Sequence, residues 1–295
     1  MNLDDTAVAA PPQRSLIAGC GDIGLRVASQ LLREGGAVSA IVRTPQKQQA
    51  VEALGARALT GDLDQPQDVG DWPWLFWFAP PRAEGERDQR LRDWLAAQRG
   101  RIERVVYIST SGVYGDCQGR WIDESEPLKP LAARSVRRVD AEGALQAWAT
   151  ERRAAAIVLR VPGIYGPGRL PVARLRAGEP IMAADEAPYS NRIHADDLAR
   201  AAVLAARLGR PGAAYNVADG QPTTMTDYFV RSAALLGLPA PQQIGRDEAQ
   251  RRFTPALWSY MEESKRLRIE RARRELGFVP QYPDLAAGLP SCLTV

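Results

Sequence analysis

Apolar residues follow two different spacings along the chain, one typical of helices and the other of buried strands. In the stretch 25–36, Val27 and Leu31 lie four positions apart with Ala28 and Leu32 beside them, which predicts an amphipathic helix ending at the glycine pair. Short, mainly apolar runs predict strands at 15–19, 37–43, 56–62 and 72–81, a strand and its exit at 104–115, and a strand followed by a loop at 155–169. Further helices are predicted at 44–55, 84–99 and 131–153. Strands that alternate with helices of this length indicate βαβ units and a parallel sheet.

The regular alternation weakens after residue 166, where glycine and proline become frequent. Helices are predicted there near 195–208, 224–237 and 262–276. We therefore expect an α/β protein with a Rossmann-like, doubly wound parallel sheet at 15–166. A smaller, mixed C-terminal substrate region at 167–295 is expected to pack on that domain. Residues 1–14 are expected to be a disordered lead.

Composition and charge exclude several classes of protein. Of the 295 residues, 45% are hydrophobic and 25% charged, which is ordinary globular usage. The 38 basic residues are interspersed with 35 acidic ones, so no clustered basic patch indicates a nucleic-acid partner. No apolar run approaches the roughly 20 residues of a membrane helix, and the N-terminus lacks the apolar centre of a signal peptide. The three cysteines are far apart without C-x-x-C spacing, which argues against a metal site or disulfides and favours a cytoplasmic location.

A glycine pattern typical of phosphate-binding loops lies between the first predicted strand and the first helix. Gly19, Gly21 and Gly24 satisfy G-x-G-x-x-G, a weak signal that gains meaning from this strand-to-helix context. The first glycine permits a tight turn, the second lets the backbone approach a pyrophosphate, and the third allows helix to pack on strand. A turn without a ligand is the alternative. The loop residues expected to bind a dinucleotide are Gly19, Cys20, Gly21, Asp22, Ile23 and Gly24.

The end of the second strand bears on the choice of dinucleotide. NAD sites commonly carry an acidic residue there, but this chain has Arg43, which can pair with a 2′-phosphate. NADP is therefore favoured over NAD, although Arg43 could also be an ordinary surface arginine. Asp62, which ends the third strand, could accept a hydrogen bond from adenine or only cap a turn.

Five stretches together resemble one family. They read IAGCGDIG, GDL at 61–63, YISTSGVYGD, LRVPGIYGPGR with RIHADDLA, and SKRLRIERARRELGFVPQYPDLAAGL. In order and spacing they are similar to extended or atypical short-chain dehydrogenase/reductases, the NAD-dependent epimerase/dehydratase family, and within it to a bacterial YeeZ-like subgroup. The resemblance covers residues 15–289 and implies NAD(P) binding on a Rossmann-like domain. Family members are often dimers, so a homodimer is also an expectation.

The resemblance also assigns roles to single residues. It implies that Leu63 of the GDL stretch, and Ala79 and Pro80 after strand four, lie beside the cofactor. It places the catalytic Ser/Thr of the family at Thr110, with Ser111 next to it. A hydroxyl group there can donate a hydrogen bond to a substrate carbonyl and so favour hydride transfer. The alternative is a run of small residues at the end of a strand.

The helix at 131–153 departs from the family pattern. The family places Tyr-x-x-x-Lys at its start, with a glutamate four residues after the lysine. Glu142 fits that glutamate, which puts Arg138 in the place of the lysine and Arg134 in that of the tyrosine. Arginine, with a pKa above about 12, is a poor proton shuttle. On one helix face the two arginines suit an anionic ligand, or form a solvated face with an Arg138–Glu142 pair.

Other residues could supply the missing acid or bind the substrate. Tyr114 and Tyr165 are the nearest candidates by motif, although tyrosines of the VYG and IYGPG stretches are more often structural. Arg192 could face a substrate anion. The resemblance implies that His194 and Asp197 hold the C-terminal region in place.

Three functions remain open at this point. The first is an NADP-dependent oxidoreductase or epimerase acting on a small anionic substrate, with catalytic roles for Thr110, Tyr114 and Arg138 and substrate contacts from Ser111, Arg134, Tyr165 and Arg192. The second is a non-catalytic NADP-binding sensor, favoured by the missing Tyr and Lys. The third is a scaffold that has lost the cofactor, against which the intact glycine loop argues.

Overall fold

The computed structural model describes residues 14–293. Its strands are β1 (Arg14–Ala18), β2 (Ala37–Val42), β3 (Arg57–Thr60), β4 (Trp72–Trp77), β5 (Ile102–Thr110), β6 (Trp121–Ile122), β7 (Ala155–Val161), β8 (Gly163–Tyr165), β9 (Ile181–Met182), β10 (Tyr189–Ser190), β11 (Arg192–His194), β12 (Ala214–Asn216), β13 (Thr223–Thr224), β14 (Gln243–Ile244) and β15 (Arg266–Leu267).

The α-helices are α1 (Asp22–Arg33), α2 (Pro45–Glu52), α3 (Gln89–Ala97), α4 (Ala133–Arg152), α5 (Val172–Arg176), α6 (Ala195–Leu208), α7 (Met225–Leu235), α8 (Arg246–Arg252), α9 (Pro255–Met261), α10 (Glu270–Leu276) and α11 (Leu285–Gly288). Short 3-10 turns cover Ser111–Tyr114 and Leu289–Leu293. No helix within residues 14–293 is long and apolar enough to cross a membrane.

Seven strands form the central sheet in the order β3-β2-β1-β4-β5-β7-β12, and every pair in it is parallel. The order reverses between β1 and β4, the switch point at which doubly wound sheets open a crevice for ligands. The predicted Rossmann-like α/β fold is confirmed.

The sheet is buried on both faces because its strands are apolar on both. Leu16 of β1 belongs to the apolar cluster that includes residues of α3 and α4, whereas its neighbour Ile17 belongs to the cluster that includes residues of α1 and α6. Near-continuous apolar strands are what a parallel sheet covered by helices requires. This packing holds the carboxyl ends of β1, β4 and β5 at one edge of the sheet.

The predicted boundary at residue 166 falls just after β8, but the sheet takes its seventh strand, β12, from beyond it. Helix α6 of the later region also packs against α1. The division into two regions at residue 166 stays a prediction, and the central sheet contains strands from both sides of that boundary. The predicted lead lies outside the described residues except for Arg14, which begins β1.

The predicted helix at 262–276 is wrong in its first half. Residues 266–267 form β15, which pairs with β6, and only α10 is helical. The side chain of Asn191 accepts from the Leu267 N–H and donates to the Lys265 carbonyl, at 2.8 and 3.0 Å. These tertiary hydrogen bonds keep the segment extended despite its helical composition.

Candidate active site

The three loop glycines serve two different purposes. Gly19 has φ +86°, and a Cβ there would lie under 3.0 Å from the backbone of Ala79, so the chain itself requires glycine. Gly24 packs closely, since its Cβ would lie 3.2 Å from Ile17 Cγ2. A Cβ at Gly21 would meet nothing within 4 Å. Gly21 is thus the glycine whose missing side chain leaves open space beside the loop.

This open space lies at the N-terminus of α1, where Gly21 is the N-cap and no side chain caps the helix. Free N–H groups and the helix dipole favour an anion at such a place. The loop therefore fits a dinucleotide pyrophosphate. Cys20 within the loop is buried, and that burial raises the pKa of its thiol to about 11, so it stays protonated.

Asp22 brings a carboxylate to this helix end, and two arginines neutralise it. Arg26 Nε donates to Oδ1 at 2.9 Å and Arg169 Nε to Oδ2 at 2.6 Å. Burial opposes ionisation, but these two partners lower the pKa of Asp22 overall. Arg169, which sequence reasoning did not single out, thereby ties the loop after β8 to the phosphate loop.

The end of β2 leaves Arg43 available to a ligand. Its side chain is 70% exposed, and Nη1 lies 3.9 Å from Oδ2 of Asp62. The other carboxylate oxygen of Asp62 accepts from the Asp64 N–H at 3.0 Å, so Asp62 caps a turn, as one of the two alternatives expected. Leu63 next to it is half-buried against the apolar cluster that includes residues of α3 and α4.

A cavity of about 680 Å³ opens between the carboxyl edge of the sheet and the C-terminal region. It brings together six of the predicted site residues: Pro80, Thr110, Ser111, Arg134, Arg138 and Arg192. Sequence reasoning missed several other residues of the lining, among them Arg137, Arg169, Tyr189, Tyr228, Tyr260, Glu263 and Lys265. The lining carries six cationic side chains and one carboxylate, so the cavity is strongly positive.

Thr110 lies where β5 ends and the chain turns. Its Oγ1 accepts from the Gly112 N–H at 3.2 Å, which begins the 3-10 turn. Within the predicted strand and exit at 104–115, the strand ends at Thr110 and the exit is the 3-10 turn. As a hydroxyl that lines the cavity, Thr110 can still donate its own proton to a ligand oxygen.

Arg134 and Arg138 of α4 both line the cavity and make no ion pair with a carboxylate among residues 14–293. Arg138 Nη1 donates to Tyr107 Oη at 2.9 Å and to the Ile108 carbonyl at 2.7 Å. Arg134 Nη1 donates to Ser259 Oγ at 2.6 Å, and its guanidinium lies 3.9 Å from the centre of the Tyr260 ring. The alternative of an Arg138–Glu142 pair is wrong.

Glu142 instead lies in a buried network beneath the cavity. Arg160 Nη2 donates to Oε2 of Glu142 at 2.8 Å, and Ser109 Oγ donates to Oε1 at 2.5 Å. Arg160 Nη1 also reaches Tyr114 Oη at 3.0 Å, and Tyr114 donates to Asn216 Oδ1 at 2.7 Å. This network joins α4, β5, β7 and β12.

The structure corrects the site assignments of Tyr114 and Tyr165, neither of which is among the described residues that line the cavity. Tyr114 is 1% exposed with its hydroxyl engaged by Arg160 and Asn216, and burial raises its pKa to about 12. Tyr165 is fully buried and donates to the Asp284 carbonyl at 3.3 Å. Both phenols are structural because the interior surrounds them.

A buried ion pair that sequence reasoning missed faces the same cavity. Lys265 Nζ donates to Oε2 of Glu263 at 2.6 Å, and both side chains are under 10% exposed. The remaining oxygen, Oε1, has no partner among the described residues. The only sequence signal was that Lys265 is one of three lysines in a chain rich in arginine.

His194 and Asp197 make the contacts expected of a structural pair. His194 Nδ1 accepts from the Asp196 N–H at 3.2 Å, and Nε2 lies 3.0 Å from Ser291 Oγ. The carboxylate of Asp197 accepts from the N–H groups of Gln281 and Tyr282 at 2.7 and 2.9 Å. These bonds fasten α6 to the last segment of the chain.

Comparisons with known proteins agree with this architecture. Residues 86–218 match the model of the NAD dependent epimerase/dehydratase family. The chain is 29% identical over 284 residues to Protein YeeZ of Escherichia coli K12, across 91% of this chain and 96% of YeeZ.

Two solved structures are also similar. A functionally unknown conserved protein from Silicibacter pomeroyi DSS is 32% identical, with TM-score 0.78 over 95% of this chain and 98% of that chain. MoeE5, solved in complex with UDP-glucose and NAD, is 24% identical, with TM-score 0.75 over 94% and 96%. The second likeness bears on the fold alone.

Proposed function

We propose that this chain, which belongs to the NAD-dependent epimerase/dehydratase family, is an NADP-dependent oxidoreductase or epimerase acting on a small anionic molecule. The observation that carries the proposal is one cavity lined by the Thr110 hydroxyl and by Arg134, Arg138 and Arg192, which form no ion pair with a carboxylate among the described residues. It adjoins the edge of the sheet at which the glycine loop lies.

The loop at 19–24 would hold the dinucleotide pyrophosphate, and Arg43 its 2′-phosphate. When bound, the nicotinamide group supplies hydride transfer. The exposure of Arg43 supports NADP, because its guanidinium, 70% exposed and in only a long 3.9 Å ion pair with Asp62, can still pair with a phosphate. MoeE5 was solved with NAD, so the choice between the two dinucleotides is the finer part of the proposal.

In this proposal, some cavity residues bind the substrate and others polarise its carbonyl group. Thr110 donates a hydrogen bond to the substrate carbonyl, and Ser111 lies beside it. Arg134 and Arg138 attract and orient the anionic substrate, whereas a guanidinium group is a poor proton shuttle in general. Among the cavity-lining residues, the side chains that can exchange a proton are Tyr189, Tyr228, Tyr260, Glu263 and Lys265.

A non-catalytic NADP sensor is the second candidate function. It is favoured by the arginines at positions 134 and 138, because the chain then lacks the family's Tyr–Lys pair. A homodimer and a cytoplasmic location stay predictions.

Titration of the full chain with NADPH and NADH tests the proposal. We expect tighter binding of NADPH, and loss of binding in Gly21→Val while circular dichroism still reports a folded protein, because the new side chain fills the open space. Arg138→Ala should weaken binding of NADPH or of an anionic ligand. NADPH binding without turnover of any anionic carbonyl compound would favour the sensor; absence of dinucleotide binding would exclude both functions.

A further inference from the structure

We propose that Arg192 binds a carboxylate group of the substrate and thereby fixes its acidic end to the cavity wall formed by the C-terminal region. This inference rests on the proposed function for the substrate side of the cavity. It does not depend on which dinucleotide the glycine loop holds.

The first argument is that no carboxylate lies at ion-pair distance from the buried guanidinium of Arg192, although the carboxyl group of Asp219 acts on it electrostatically from further away. It is 7% exposed and forms no ion pair with a carboxylate among residues 14–293. Nη2 has only the sulfur of Met225 at 2.8 Å, a weak acceptor, and Nε has no acceptor. Burial lowers the pKa of Arg192, and the opposing electrostatic effects of Tyr228 and Asp219 do not offset it. A buried guanidinium in this state disfavours the ligand-free fold.

The second argument is that the guanidinium is held in one orientation. It lies 4.1 Å from the centre of the Tyr228 ring. On another side, Nη1 lies so close to Gly163, the strand partner of Arg192, that a Cβ there would come under 3.0 Å. Gly163 thus makes room for the guanidinium. An ordered planar fork loses little conformational entropy when it binds.

The third argument concerns access. Arg192 lines the cavity, and its Nη1 makes no hydrogen bond within the described part of the chain. The buried side-chain nitrogens without a hydrogen-bond partner include Nε of Arg192 but not its Nη1. This nitrogen is therefore the atom that a ligand oxygen can reach first.

The local charge favours a carboxylate over a phosphate. A single guanidinium balances the single charge of a carboxylate and matches its planar geometry. Asn191, the neighbour of Arg192 in the chain, bonds to the carbonyl of Lys265, and the Lys265 ammonium is already neutralised by Glu263. Among the described residues of the C-terminal region that line the cavity, a doubly charged phosphate would find one cation without an ion pair, Arg192, and one carboxylate, Glu263.

Thermal unfolding of three forms of the full chain tests the inference. In a chloride buffer, Arg192→Met should unfold at a higher temperature than wild type, because it removes an unpaired buried charge. Arg160→Met is the matched control, since Arg160 is also 7% exposed but paired with Glu142, and it should unfold at a lower temperature. A lower unfolding temperature in Arg192→Met would show a structural role and overturn the inference.

The second measurement replaces chloride with acetate, and separately with phosphate, at constant ionic strength and pH. Acetate should raise the unfolding temperature of wild type but not of Arg192→Met, and Arg192→Lys should respond less than wild type. An equal response in wild type and Arg192→Met, no response in wild type, or a response to phosphate alone would each overturn the carboxylate assignment.

NADPH titration separates this inference from the proposed function. Arg192→Met should bind NADPH as wild type does. If wild type shows the Arg192-dependent acetate response but binds neither dinucleotide, the proposed function fails while the anion site stands. If wild type binds NADPH without that response, the inference alone fails.

Discussion

Two arginines with the same 7% exposure have opposite surroundings. Arg160, inside the network beneath the cavity, bonds to Glu142 and Tyr114, and these partners raise its pKa despite its burial. Arg192, at the cavity wall, has an aromatic ring, a sulfur atom and no carboxylate partner within the described residues, and burial lowers its pKa. The buried network neutralises Arg160, whereas the cavity wall leaves Arg192 available to a ligand.

One face of helix α4 carries both charged residues without an ion pair and a charged residue with one. Arg134, Arg138 and Glu142 follow one another at intervals of four residues, so they lie on the same side of the helix. The first two line the cavity without a carboxylate partner, and the third is buried against Arg160. The boundary between the site and the paired interior thus falls within a single turn of α4.

The largest expected effect comes from breaking the paired side. Arg160→Met leaves Glu142 buried without its cation, which should lower the free energy of unfolding by about 3–5 kcal/mol. Urea denaturation measures this loss. The double variant Arg160→Met/Glu142→Gln should recover part of it, and a single variant as stable as wild type would mean that the network contributes nothing.

The next effect depends on pH and on Asp219, a carboxyl group 2% exposed that lies within the field of Arg192. Burial raises its pKa to about 7, against the N–H bond from Gln221 and the charge of Arg192. The folded state therefore holds a proton that the unfolded state has lost above about pH 4. Stability from this group is fully present at low pH and is lost as pH rises towards and through 7.

Asp219→Asn removes this dependence. Relative to the variant, wild type should lose on the order of 4 kcal/mol of unfolding free energy between about pH 4 and 8, given ~1.4 kcal/mol per pKa unit. Denaturation curves at several pH values measure it. Parallel curves for the two proteins would contradict a raised pKa.

In the glycine loop, the fold requires a glycine at position 19, whereas the glycine at position 21 borders open space. Gly19→Ala should lower the free energy of unfolding by about 2 kcal/mol, because a positive φ strains any other residue and the new Cβ clashes with Ala79. Gly21→Ala is the matched control, since its Cβ meets nothing, and it should stay close to wild type. Equal losses measured by denaturation would remove the distinction.

The smallest effect is expected at the exposed rim of the dinucleotide site. Arg43→Ala should weaken NADPH binding by about tenfold, or ~1.4 kcal/mol, and leave NADH binding unchanged, because only NADPH carries the 2′-phosphate. Fluorescence titration with both cofactors measures the ratio. If wild type binds the two equally, Arg43 is only a surface residue.

Local spacing in the sequence determined the βαβ alternation and the strand-to-helix position of Gly19, Gly21 and Gly24. Apolar periodicity reports which positions turn inward, and this is a local property of strands and helices. The arginines at 134 and 138 were also visible, because they depart from a motif at fixed spacing.

Only the tertiary structure decided which charges are paired. Glu142 bonds to Arg160, 18 residues away, rather than to Arg138 on its own helix. Tyr114 and Tyr165 became interior residues, while Lys265 reached the cavity because Asn191 holds its segment extended. Ion pairing and burial depend on which distant segments pack together, and no local spacing records that. The position of the glycine loop was therefore predictable from the sequence, whereas the arginines that a ligand can reach depend on the packing of the folded chain.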